Sequence, residues 1–146
     1  MIPVEYPKLK FKLKEEAGKK YIFDELRKRW LFITPEEWVR QNFIQYLIQV
    51  ENYPASYIAV EKQLTVGELK KRFDILLYDS AHQPWMMVEC KASSIPLQPF
   101  ILEQALRYNI GIPVPYLVIT NGHFYKAYKK ESGKLVELNQ LPAFGI

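Results

Sequence analysis

The chain is 146 residues long, 49% hydrophobic, 25% charged and 14% aromatic, a balance that fits one domain over 1–146 and excludes disordered or fibrous classes. No apolar run reaches the roughly 20 residues needed to cross a bilayer; Ile110 to Ile119 is broken by Pro113 and Pro115, and Met1 to Pro7 lacks the apolar centre of a signal peptide. The lone Cys90 cannot form an internal disulfide, which fits a reducing cytoplasm, and the net charge of +4 makes the protein mildly basic.

Leu9, Phe11 and Leu13 alternate with lysines and predict a half-buried strand. Glu15 to Gly18 read as a turn and Lys19 to Phe23 as its partner, so residues 1–20 form an N-terminal hairpin or extension. Asp24 to Ile33 read as a connecting segment anchored by Trp30, Leu31 and Phe32. Thr34-Pro35-Glu36-Glu37 is a helix start, with Thr34 as N-cap, Pro35 at the first helical position and Glu37 completing a capping box. The helix is expected from Pro35 to about Val50, with Val39, Phe43, Tyr46, Leu47 and Val50 as its apolar stripe.

Asn52 to Ser56 end that helix, Tyr57 to Leu64 form a strand, and Val66-Gly67-Glu68 a turn. Arg72 to Tyr78 and Trp85 to Lys91 are the next two strands, joined by a hairpin-like loop from Asp79 to Pro84. A second helix is expected from Phe100 to Asn109, then a strand from Tyr116 to Thr120. Asn121-Gly122 is the strongest hairpin-turn signal and brings Phe124 to Lys129 back; Ser132-Gly133 turns into a last strand, Leu135 to Leu138. This order predicts an α/β (α+β) fold, a central mixed sheet with helices on its faces.

Asp74, Glu89 and Lys91 make the pattern D-x14-E-x-K across two of these strands. Strand residues two apart share a face, so Glu89 and Lys91 lie together while Cys90 points to the core. A strand otherwise made of Trp, Met, Met and Val has no packing reason for two opposite charges side by side. Chemistry supplies one: paired carboxylates hold a hard divalent cation, and a neighbouring ammonium orients a water or stabilises developing negative charge. The bland alternative is an exposed Glu-Lys pair of little energetic value.

Glu36 and Glu37 occupy the first turn of the first helix, where the macrodipole favours negative charge. Capping accounts for Glu37, whereas Glu36 falls near Val39, Phe43 and Leu47 on the helical wheel and is the better candidate third metal ligand. Arg40 is placed to pair with Glu36 or to contact a phosphate, and Glu61, in an apolar strand, reads as half of a buried ion pair. Gln104 and Tyr108, at i and i+4, share a helix face. His82 and His123 have no Cys or His partners at zinc-ligand spacing. No P-loop, dinucleotide fingerprint or nucleophile elbow is present, which argues against a nucleotide cofactor and common serine hydrolases.

Lysines at 8, 10, 12, 14, 19 and 20, with Arg27-Lys28-Arg29 and Lys70-Lys71-Arg72, suit a polyanion, or equally the protected edges of exposed strands. Charge alone does not decide between them.

Thr34 to Gln41 (T-P-E-E-W-V-R-Q), Arg72 to Leu77 (R-F-D-I-L-L), Val88 to Ala92 (V-E-C-K-A), Glu103 to Asn109 (E-Q-A-L-R-Y-N) and Val118 to Gly122 (V-I-T-N-G) together resemble one family. It is the N-terminal nuclease domain of type I restriction endonuclease R subunits, within the PD-(D/E)XK superfamily. The resemblance runs from about Tyr21 to Tyr128. It implies a restriction-endonuclease-like core acting as a Mg²⁺-dependent phosphodiesterase on DNA, with Mn²⁺ as a substitute. It also implies that Asp74 and Glu89 are metal ligands with Glu36 or Glu37, that Lys91 is the catalytic lysine, and that Gln104 and Tyr108 are the Q-x-x-x-Y pair supporting DNA handling. Arg40 and Arg72 are further candidates for site support or phosphate contact. Those R subunits continue into translocase domains that this sequence does not contain. The expectation is therefore a small nuclease or the cutting part of a complex. The competing reading is a catalytically silent nucleic-acid-binding module of the same fold. The residues do not separate DNA from RNA, and exposed hairpins with ten tyrosines are compatible with a protein partner or a homodimer.

Overall fold

Residues 1–144 are described by a computed structural model. Its main sheet is built from β5 (Ile58–Val66), β6 (Leu69–Tyr78) and β7 (Pro84–Cys90), which run antiparallel in sequence order. Helix α2 (Pro99–Asn109) then crosses over to β8 (Tyr116–Thr120), which pairs parallel to β7. A parallel pair needs such a crossover, because two ends of parallel strands lie a full strand length apart. β9 (Phe124–Glu131) returns antiparallel to β8, and its outer edge is shared by β10 (Lys134–Leu138) and the short β1 (Ile2–Pro3). The order is β1-β9-β8-β7-β6-β5, with β10 also on β9. A second sheet is separate: β2 (Leu13–Glu16), β3 (Lys19–Asp24) and β4 (Arg29–Phe32), all antiparallel. No helix among the described residues is long and apolar enough to cross a membrane.

Helix α1 (Pro35–Gln49) starts as its sequence requires, with extended Thr34 accepting the Glu37 amide on Oγ1 at 3.0 Å and Pro35 in the first turn. It covers one face of β6 and β7 with Val39, Phe43, Ile44, Tyr46 and Leu47. Fully buried Phe43 and Leu47 each contribute about 1.5–3 kcal/mol of apolar burial. α2 covers the opposite face with Leu102 and Ala105, over Leu76, Met87, Leu117 and Ile119.

Five local expectations change. The strand expected through Leu9 and Phe11 begins only at Leu13. The segment from Asp24 to Ile33 is not merely a connection: Arg29–Phe32 pairs with β3, turning the hairpin into a three-stranded sheet. Trp30 and Phe32 are consequently exposed instead of anchoring the core. Val50, expected on the stripe of α1, lies outside the helix and is exposed, and Ile44 takes the buried position. The capping box is half made, because the Glu37 carboxylate accepts from Arg40 and Gln41 further along the helix. The helix wheel assumed a single buried stripe, whereas α1 also buries a polar edge.

Candidate active site

β6 contains a break that positions the site. Its pairing with β5 runs Val60↔Ile75 and resumes at Lys62↔Phe73, leaving out Glu61 and Asp74. Glu61 there adopts a left-handed backbone, φ 52°, which costs a non-glycine residue on the order of 1 kcal/mol. The alternation of β6 reverses across the break: Ile75 packs on the α1 side, yet Phe73 packs with Leu76 and Met87 on the α2 side. On the other flank of β6, the pairing with β7 ends at Ile75↔Val88. Asp74 continues it with its side chain, Oδ2 accepting the Cys90 amide at 2.8 Å. The carboxylate of Asp74 is thereby tied to the backbone between Glu89 and Lys91.

Glu89 and Lys91 line one cleft on the α2 side, about 890 Å³ in volume, together with Lys71, Gln104, Arg107 and Tyr108. Cys90 points the other way, into the core against α1, as strand alternation requires. Burial pushes its thiol well above the usual range, with Asp74, Glu36 and Glu37 adding to the effect and Arg40 opposing it.

Glu89 does not pair with Lys91. Its Oε1 accepts from Asn109 Nδ2 at 2.7 Å and from Lys71 Nζ at 3.2 Å, whereas Oε2 has no hydrogen-bond partner among the described residues. Lys71 is itself held by the Tyr108 ring, 4.4 Å from the centroid. Asn109 is fully buried at the end of α2, and its Nδ2 also donates to the Ala105 carbonyl at 2.8 Å. Lys130 Nζ caps the same helix end, donating to the carbonyls of Asn109 (2.9 Å) and Ile112. Burial lowers the pKa of Lys130. Lys91 makes no side-chain hydrogen bond or ion pair among the described residues, and its backbone N–H donates to Thr120 at 2.8 Å.

On the α1 side a polar network backs Asp74. Arg40 is buried and donates to Glu37 Oε1 at 3.2 Å and Glu61 Oε1 at 2.8 Å, with Nη2 3.6 Å from Asp74 Oδ1. Of the two expected roles of Arg40, pairing with Glu36 or contacting a phosphate, the first is replaced: its carboxylate partners are Glu37 and Glu61. Burial opposes the charge of Arg40, but Glu61, Glu37 and Asp74 outweigh it and raise its pKa. Glu61 is the ion-pair residue its sequence context suggests, but it is only partly buried and pairs with three arginines, Arg27, Arg40 and Arg72. The hydrogen bond from Arg40 lowers its pKa first, against burial, with the nearby guanidiniums adding to it. Arg72 is exposed and reaches Glu61 at 3.1 Å. Glu37 is buried and committed to Arg40 and Gln41, whereas Glu36 is exposed and makes no hydrogen bond or ion pair among the described residues.

Carboxylate oxygens are the right donors for a hard divalent cation. No group of three His, Cys, Asp or Glu side chains converges tightly enough among the described residues to enclose one. The donor chemistry of Asp74 and Glu89 fits such an ion, and Glu89 Oε2 has no hydrogen-bond partner among the described residues; no contact joins Glu36 to either carboxylate. Gln104 and Tyr108 both line the cleft from α2, as their i, i+4 spacing requires. Sequence pattern assigns no role at the site to Lys71, Asn109 or Lys130. Asn109 closes the E-Q-A-L-R-Y-N segment, and its burial at a helix end was the one available signal.

Fold and site define an α+β domain in which an acid–lysine strand end opens into a cleft on one face of a mixed sheet. The family follows from sequence comparison. Residues 35–142 match the family described as Type I restriction enzyme R protein N terminus (HSDR_N), and the chain belongs to that family of nuclease-like, DNA-associated domains. Among solved structures, the chain is similar to one described as a cryo-EM structure of a DrdV–DNA complex, with 22% identity and a TM-score of 0.46. That similarity covers 71% of this chain and 10% of the other, so this chain spans about a tenth of that protein's length. No curated protein matches the chain.

Proposed function

We propose that the protein is a metal-dependent nuclease that hydrolyses phosphodiester bonds of DNA, using Mg²⁺ or Mn²⁺ at Asp74, Glu89 and Glu36. The observation that carries this reading is the tie between Asp74 Oδ2 and the Cys90 amide, which sets one carboxylate beside the strand end bearing Glu89 and Lys91. A cation held there would supply charge neutralisation at the phosphate and a water of lowered pKa. Asn109 and Lys71 hold Oε1 of Glu89 and leave Oε2 for a ligand. Arg40 orients Asp74 from behind. Lys91, without a carboxylate partner, keeps its ammonium for the attacking water or for charge developing on the phosphoryl oxygens. Gln104, Tyr108 and Arg72 contact the nucleic-acid backbone around this point.

The test is Mg²⁺-dependent cleavage of plasmid and oligonucleotide DNA by wild type, Asp74→Ala and Lys91→Ala. Loss of roughly a hundredfold or more is expected in each variant, with melting temperatures showing that the fold survives. Undiminished cleavage in either purified variant would sink the assignment. A second reading, a catalytically silent DNA-binding module, is favoured by one observation: Glu89 is already neutralised by Lys71. Salt-dependent DNA binding with no cleavage, and no Mg²⁺ or Mn²⁺ effect on melting, would select it.

A further inference from the structure

The outer face of the small β2–β3–β4 sheet has a composition that folding does not explain. Tyr21 pairs with Phe32 and Phe23 with Trp30, so four aromatic side chains stand on one face. Their rings meet edge-on, with centroids 6.0 and 5.3 Å apart. None belongs to either hydrophobic core, and Trp30 and Phe32 are 38% and 52% exposed. The opposite face holds what packs: Ile22 and Asp24, both fully buried. Cross-strand aromatic pairs stabilise a sheet by only about 0.2–1 kcal/mol each.

Cations frame these rings. Lys14 lies 4.7 Å from the Trp30 centroid and 5.7 Å from that of Tyr21, and Lys12 lies 5.3 Å from that of Phe23. Lys19 is on the same face, opposite Glu16 in the register. Residues 8–20 carry six lysines against two glutamates, an excess equal to the net charge of +4 of the entire chain. The sheet is also tied to the main domain by side-chain hydrogen bonds. Asp24, at the end of β3, accepts from Arg27 Nε at 2.6 Å and from Gln41 of α1 at 3.2 Å. Arg27 continues to Glu61, beside Asp74.

We propose that this face is a stacking surface for unpaired bases of single-stranded DNA, with Tyr21, Phe23, Trp30 and Phe32 receiving bases and Lys12, Lys14 and Lys19 holding phosphates. Exposed rings flanked by lysines bind single strands because every base has a π-face and every linkage a negative charge. A duplex presents its bases stacked and paired, so the face discriminates in favour of the single strand. The surface does not depend on catalysis; only the choice of DNA over RNA rests on the function proposed above.

Fluorescence anisotropy of a labelled 12-nucleotide oligo-dT, with a duplex of equal length as control, tests the idea. Trp30→Ala with Phe32→Ala is expected to weaken oligo-dT binding roughly tenfold or more, leaving duplex binding little changed. Lys12→Gln with Lys14→Gln keeps every ring, so it tests the same surface should the aromatic variant fail to fold. It is expected to weaken binding and to flatten its salt dependence. Oligo-dT affinity equal to wild type in both variants would overturn the proposal and point to a protein-docking face instead. Tighter binding of an oligo-U of the same length would overturn the DNA assignment. A protein that never cleaves but binds oligo-dT through Trp30 defeats the nuclease reading and keeps this one.

Discussion

Beneath α1, Asp24, Glu37 and Glu61 meet Arg27 and Arg40, and almost every polar atom there has a partner; Arg27 Nη2 and Arg40 Nε are the exceptions. Across the sheet, in the cleft under α2, Glu89 has one oxygen held and the other free, and Lys91 has no partner among the described residues. The first cluster is tied down by hydrogen bonds throughout; the second is half satisfied and faces a cleft. A saturated network sets backbone and side-chain positions, and its charges are too well partnered to bind anything else. An unsaturated one keeps donors and acceptors for a ligand. Asp74 sits between the two, tied to the Cys90 amide on one oxygen and facing Arg40 with the other.

The contrast breaks most severely at Asp24. Its carboxylate is fully buried, and Asp24→Ala leaves the amides of Leu26 and Arg27 and the Arg27 Nε without their acceptor, while Arg27 keeps Glu61 and Gln41 keeps Glu37, so a loss of about 3–5 kcal/mol is expected in urea unfolding. A loss below 1 kcal/mol would mean that the network does not hold the small sheet in place.

Asn109→Ala tests the other cluster. It removes a buried donor from Glu89 and from the Ala105 carbonyl, and about 1–3 kcal/mol of destabilisation is expected. The informative readout is the melting shift produced by Mn²⁺, which should shrink in the variant because Glu89 loses its orientation. A full Mn²⁺ shift in Asn109→Ala would show that Glu89 needs no such hold.

Acid separates the clusters by charge state. Burial works to raise the carboxyl of Asp24, but the Arg27 amide and guanidinium and the Gln41 amide outweigh it and lower its pKa. Glu61 is lowered as well, chiefly by the Arg40 hydrogen bond. Carboxyls held low in the folded state stabilise it above their unfolded pKa, about 4, and lose that contribution as pH falls through the lower folded values. Stability should therefore be flat from neutral pH to about 5 and fall below about 4, with a shallower fall in Asp24→Asn. An identical acid profile in wild type and Asp24→Asn would refute the linkage. The smallest effect is expected at Arg72, whose exposed pair with Glu61 contributes less than about 1 kcal/mol, so Arg72→Ala should leave the urea midpoint nearly unchanged.

Much of the frame was legible from local pattern. Thr34-Pro35 marked the start of α1 correctly, Tyr116 to Thr120 is a strand as expected, and Asn121-Gly122 does turn β8 into β9. In that turn Asn121 Oδ1 accepts the amides of His123 and Phe124, and Gly122 takes φ +89° close against Val39. Strand alternation placed Glu89 and Lys91 on a common face with Cys90 opposite, which the cleft reproduces. Less legible was Asp24 to Ile33, where Arg29–Phe32 is short, basic and aromatic, and becomes a strand only because β3 offers an edge.

Sequence by itself therefore determined what depends on neighbours a few residues away: helix starts, turns, strand faces, and the family to which the chain belongs. Tertiary structure decided the rest. Lys71 and Asn109 reach Glu89 across 18 and 20 residues, and Arg40 reaches Glu61 across 21. The break in β6 at Asp74 comes with a left-handed Glu61 on the neighbouring strand, and Glu37 is buried while Glu36 stays exposed because Arg40 and Gln41 take one carboxylate of the two. Such choices are made by side chains competing for partners in a packed and partly desolvated space, where an unpaired charge is costly, and no periodicity along the chain encodes who wins.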